Sequence, residues 1–195
     1  MERELRSKTA MNDKHHSSLK QYVNDMIAVE RDIANAVKLQ TEDDRVSGEL
    51  QTVLDQIVRL GESRLELLKK LSDDEGGSLG AAVKEGITAV TGTLAGIYGK
   101  LREHPVSRMV RDDIIALEVA SVSYGMLLTL GLSIGHQECV VVAERGIAET
   151  PPLIIALTDL LPVIVGHELA EDAPLANPAA GQVAITRIRD AWNAG

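Results

Sequence analysis

Five acids in this chain are placed where they could do chemistry. Glu30 falls on the seam of a helical run in which Leu19, Val23, Met26, Ile33 and Val37 recur at spacings of four and three, apart from the one gap that it fills. Glu118 is the single carboxylate in Ile114 to Gly135 (IIALEVASVSYGMLLTLGLSIG), a stretch apolar on every other face. Glu62, Glu149 and Asp159 complete the set, the last inside IIALTDLLPVIV. Carboxylates gathered without imidazole form a hard donor set, suited to a divalent ion such as Mg²⁺ or Mn²⁺. Without a cation such a cluster keeps some of its members protonated.

Each acid also has a plainer reading. Glu30 can pair with a cation such as Lys84, Arg64 or Arg145, and Glu118 has the same choice of pairing or metal. Glu62 reads as solvated, because Gly61 and Leu65 fit the seam better. Glu149 can serve as a helix-dipole acid ahead of Pro151. Asp159 can cap backbone freed by Pro162. His136 and His167 stand beside glycines at expected helix ends, where they would face C-terminal dipoles. His15-His16 reads as an unstructured polar pair. Cys139 is alone, which excludes an intramolecular disulfide and a cysteine-based zinc site. Its apolar setting (HQECVVVA) predicts a buried, inert thiol. There is no Gly-x-Ser-x-Gly, no phosphate loop and no Gly-x-Gly-x-x-Gly.

The elements that must position these residues are helices, with no alternating β pattern. Residues 1–14 are polar and aperiodic and read as a disordered arm. Ser17-Ser18 caps a first helix that ends near Gln40. Thr41-Glu42-Asp43-Asp44 opens a second, whose inner face is Leu50, Leu54, Ile57, Val58, Leu65, Leu68 and Leu71. Residues 72–78 form a linker, and 79–103 read as a helix punctuated by Gly86, Gly92, Gly96 and Gly99, a face suited to close crossings. Pro105 starts a third long helix. A fourth spans about 137–171 and should be kinked into pieces by Pro151, Pro152 and Pro162. Residues 173–195 are a tail, with a short helix expected to pack Ile185, Ile188 and Trp192.

Composition narrows the partners. With 195 residues and 45% hydrophobic content the chain can bury a substantial core. Aromatics are 2%, so that core is aliphatic and base stacking on single-stranded nucleic acid is poorly served. A net charge of −9 argues against nucleic acid and against simple docking on anionic lipid. The Ile114–Gly135 stretch is long enough to span a membrane. Glu118 near its start, the scarcity of aromatic anchors, and Arg108 and Arg111 balanced by Asp112 and Asp113 favour a helix inside a bundle instead. The N-terminal residues hold no apolar signal region, and a cytoplasmic location is expected.

The phrases MIAVERDIANAVKLQ, HPVSRMVRDDIIALEVASVSYGMLLTLGLSIG and AERGIAETPPLIIALTDLLPVIVGHELAE, with a long connection between the second and third helices, resemble the ferritin-like superfamily. The closer likeness is to uncharacterised bacterial ferritin-like proteins related to the stress-induced ferritin-like domains, over residues 16–172. The resemblance implies an all-α, ferritin-like four-helix bundle over 15–172, with the glycine-rich helix added in the connection. Catalytic members carry a Glu on each of two helices and a Glu-x-x-His on each of the others. Glu30 and Glu118 match the two single ligands, but Glu-x-x-His is absent: Glu62 is followed at the third position by Leu65, Glu149 by Pro152.

The expectation is therefore a non-enzymatic binding or scaffold protein, stress-related and dimeric, without a cofactor. A metal-binding or redox centre of Glu30, Glu62, Glu118 and Glu149, holding Fe, Mn or Mg, is the alternative. A lipid-binding bundle comes third.

Overall fold

A computed structural model describes residues 2–74, Tyr98 and 105–193, with side chains from Lys14 onward. The expected glycine-rich helix of 79–103, its proposed contact face and Lys84 lie outside the described residues, Tyr98 apart. Those described form five helices and no strand: α1 (Glu2–Gln40), α2 (Gly48–Asp74), α3 (Val106–Ile134), α4 (Gln137–Asp172) and α5 (Ala180–Asn193).

The four long helices pack in a ring. α1 lies against α2 and α3, and α4 against α2, α3 and the short α5. Short connections fold α1 back on α2 and α3 back on α4. Side-chain pairs fix the remaining directions. Glu30 meets Tyr124 while Gln40 meets Asp113, so α1 and α3 run antiparallel. Along the chain the four helices thus run up, down, down, up, with residues 75–105 connecting α2 to α3, and neighbours around the ring are antiparallel. Leu19, Val23, Met26, Ile33, Leu54, Ile57, Leu117, Leu127 and Leu153 are fully buried between the helices. At about 25 cal/mol per Å² of apolar surface, this interior is the main force holding the ring closed.

Several elements differ from the sequence reading. α1 begins at Glu2, so residues 2–14 extend the helix where a polar arm was expected. That stretch has no Gly or Pro and consists largely of good helix formers. α2 starts at Gly48 instead of Thr41. The Asp43 carboxylate accepts from the Arg45 backbone N–H at 3.0 Å and closes a local turn. Gly48 then takes φ +60°, a left-handed value a side chain would resist.

α4 runs unbroken through three prolines. Pro152 faces solvent and Pro151 and Pro162 are half-buried, so water can reach carbonyls that lost their amide donors. Asp159 does not cap that backbone: it takes a bidentate bond from Arg189 of α5 at 3.0 and 2.5 Å. The expected tail helix is present as α5, but Trp192 is 61% exposed instead of packed.

The α3–α4 corner is tight. Gly135 caps α3 at φ 72°, and the His136 N–H reaches the Gly131 carbonyl at 2.9 Å. His136 is the N-cap of α4, its Nδ1 accepting from the Cys139 N–H at 3.2 Å. Cys139 is buried, as its apolar setting predicts.

Candidate functional site: a charge network at the centre of the bundle

α1 carries an acid where its periodicity calls for an apolar residue, and α2 answers with a cation in register. Along α2 the buried positions Ile57, Gly61, Arg64, Leu68 and Leu71 follow a four–three rhythm, and Arg64 occupies one of them. Glu30 is 0% exposed and Arg64 1%. Their contact is bidentate, Arg64 Nε to Glu30 Oε1 at 2.7 Å and Nη2 to Oε2 at 3.0 Å, the fork geometry that makes such pairs strong.

The network extends to the other two long helices. The Tyr124 hydroxyl of α3 donates to Glu30 Oε1 at 2.6 Å. Arg64 Nη1 donates to Glu149 Oε2 of α4 at 3.1 Å. Glu149 Oε1 also accepts from Arg145 Nε at 2.7 Å, one turn back on α4, and Arg145 Nη2 donates to the Ser63 hydroxyl at 3.0 Å. Two acids and two arginines balance, so the ring encloses no net charge.

Two glycines make room for this arrangement. A Cβ on Gly61 would stand 3.3 Å from Glu30 Oε2, and one on Gly146 would overlap the Tyr124 ring. Burial by itself would weaken the Arg64 charge, but the bonds and charge of Glu30 hold its pKa above the ordinary arginine value. Burial and then the Glu30 charge push the Tyr124 hydroxyl up, so it remains a protonated donor. The arrangement therefore ties all four long helices together in one register.

The sequence-predicted acids divide accordingly. Glu30 and Glu149 come together through Arg64. Glu62 and Glu118 lie on the outer faces of α2 and α3 and do not join them. Glu118 follows buried Leu117 by one residue, about 100° around the helix, which turns it away from the core. The four carboxylates of the alternative reading thus do not converge, since two turn outward and a guanidinium stands between the others. Among the described residues no group of three or more His, Cys, Asp or Glu is placed to hold a metal ion. Open cavities of about 260–520 Å³ among the described residues are lined by other side chains.

A second polar cluster lies between the end of α1 and the start of α3. Gln40 Nε2 donates to Asp113 Oδ1 at 2.9 Å, both side chains buried. Gln40 Oε1, Asp113 Oδ2 and the neighbouring Tyr98 hydroxyl are buried without a hydrogen-bond partner among the described residues. Burial, opposed in part by the Gln40 amide, raises the Asp113 carboxyl from 3.8 to about 7. Sequence reasoning treated Asp113 only as a charge balancing Arg108 and Arg111; the signal available was its seam spacing to Leu117, Ala120 and Tyr124.

Comparison with protein-family models, with curated proteins and with solved structures finds no match.

Proposed function

We propose that this chain is a ferritin-like helical bundle in which an arginine-centred charge network stands where catalytic relatives hold a di-metal centre, and that it works as a binding or scaffold module without chemistry of its own. The observation that carries the reading is Arg64. Its guanidinium is buried between Glu30 and Glu149, the two candidate acids that the fold brings together. A permanently charged arginine neutralises them without a ligand. The up, down, down, up order with one long crossover supports the ferritin-like assignment.

The test is elemental analysis of protein produced with excess iron, manganese and magnesium. The reading expects no metal near one equivalent per chain. Stoichiometric iron or manganese that disappears in Glu30→Gln would overturn it in favour of a metal-handling protein. The cytoplasmic location and the link to stress are parts of the same proposal, testable by fractionation and by expression under oxidative challenge.

A further inference from the structure

α1 to α4 each sink side chains into the common core, but no residue of α5 is buried. Its inner stripe is Gly181, Ala184, Ile185 and Ile188, at helical spacing, and all four are only half-buried. Two contacts fix it on α4. Gly181 lies against the α4 backbone, where a Cβ would stand 2.9 Å from the Pro162 carbonyl oxygen and 3.0 Å from Val163 Cα. Arg189 clasps Asp159 from side chains 61% and 26% exposed, a surface pair of the kind that contributes little. Beside Gly181 the two helices part. An open cavity of about 440 Å³ lies among Leu161, Pro162, Val165, Leu169, Leu175 and Ala184. Close-packed interiors leave few voids larger than a water molecule, so this seam lacks the interdigitation that holds the ring of four together.

α5 is also a poor helix by itself. It has 14 residues. Isolated helices shorter than about 12–15 residues are marginal in water even when rich in alanine. Gly181, Val183, Ile185, Thr186 and Ile188 all have lower helix propensity than alanine. Helix and docking therefore stand or fall together. Elements with few buried apolar contacts open at the low end of a protein's range of local stabilities, as cooperative units. Residues 173–179, with Pro174 and Pro178, lie outside both helices, so α5 can lift without disturbing α4.

We propose that α5 is a detachable strap, helical while docked on the C-terminal half of α4 and released as a unit while α1 to α4 stay folded. Its release uncovers an apolar groove floored by Leu161, Pro162 and Val165. The inference goes beyond the scaffold reading and gives the bundle a second, open state.

The test is hydrogen–deuterium exchange of the full chain, followed by mass spectrometry of its peptides. Amides of 180–193 should exchange at least about a hundredfold faster than those of the core helix α3, yet more slowly than an unstructured peptide. Gly181→Ala favours an isolated helix but collides with the α4 backbone, so it should speed exchange of α5 by at least about threefold. Arg189→Glu should speed it about three- to fivefold, and adding Asp159→Arg should restore the wild-type rate. α1 to α3 should keep their protection in every variant. An α5 as protected as α3, or with no protection at all, would overturn the proposal. So would exchange unchanged or slowed by Gly181→Ala, a charge swap without rescue, or variants that loosen the whole bundle. None of these outcomes bears on metal content, so this failure is distinct from failure of the scaffold reading.

Discussion

Glu30→Gln separates the two readings of the bundle centre by the sign of its effect. The substitution keeps side-chain size and removes the negative charge. Arg64, 1% exposed, then has Glu149 as its one carboxylate, at 3.1 Å and 22% exposed. Removing one partner of a buried ion pair costs about 3–5 kcal/mol, mostly the cost of stranding the other charge. The Tyr124 hydroxyl also exchanges a charged acceptor at 2.6 Å for a neutral amide. A domain of this size loses roughly 2–4 °C in Tm per kcal/mol, so the midpoint should fall by about 6–20 °C. Urea unfolding followed by far-UV circular dichroism, with calorimetry, gives both numbers. Replacing both partners, Glu30→Leu with Arg64→Leu, should cost much less than the sum of the single changes, since no uncompensated charge is left in the core. A metal site of clustered carboxylates predicts the reverse for Glu30→Gln, because removing one acid relieves repulsion in the empty site. A loss below about 1 kcal/mol, or a gain, would refute the ion-pair reasoning.

Gly146→Ala should destabilise the fold by about 1–3 kcal/mol through overpacking on the Tyr124 ring, and a smaller residue at 124 should recover part of that loss; urea midpoints of the single and double variants check it. Asp113 binds its proton more tightly folded, at about 7, than at its ordinary 3.8. Its contribution is therefore fully present below about pH 4 and is lost as pH rises through 7, a slope that Asp113→Asn should flatten in denaturation series across that window. Cys139, buried, should resist thiol reagents in the native protein and react once it unfolds, as timed labelling would record.

How much of this was legible depends on which helix one reads. α1 has polar faces beside its seam, so the four–three spacing located Glu30 correctly, and Arg64 stood among the three cations open to it. α3 gave no such contrast. Leu117 and Leu127 on its buried side and Val122 and Met126 on its open side look alike in a sequence, so Glu118 was assigned inward. Only the partner helices decide which side of an all-apolar helix is covered. Arg64 itself broke the apolar pattern of α2 and drew the seam toward Leu65, because periodicity scores a buried cation as a surface residue. The continuity of α4 was hidden for another reason: proline cost depends on whether water reaches the freed carbonyl, and exposure is a tertiary property. The capping role of His136 needed the tight corner at Gly135 to be known first.

A guanidinium occupies the middle of the bundle, locked between carboxylates on two other helices. Hydrogen exchange of the Arg64 Nε–H, followed by nuclear magnetic resonance in the wild-type chain, tests it most directly. A buried, bidentate Arg64 should give a resolved signal, protected like the core backbone amides and lost in Glu30→Gln. An Arg64 Nε–H that exchanges like a surface arginine, or one broadened by a bound paramagnetic metal, would contradict it.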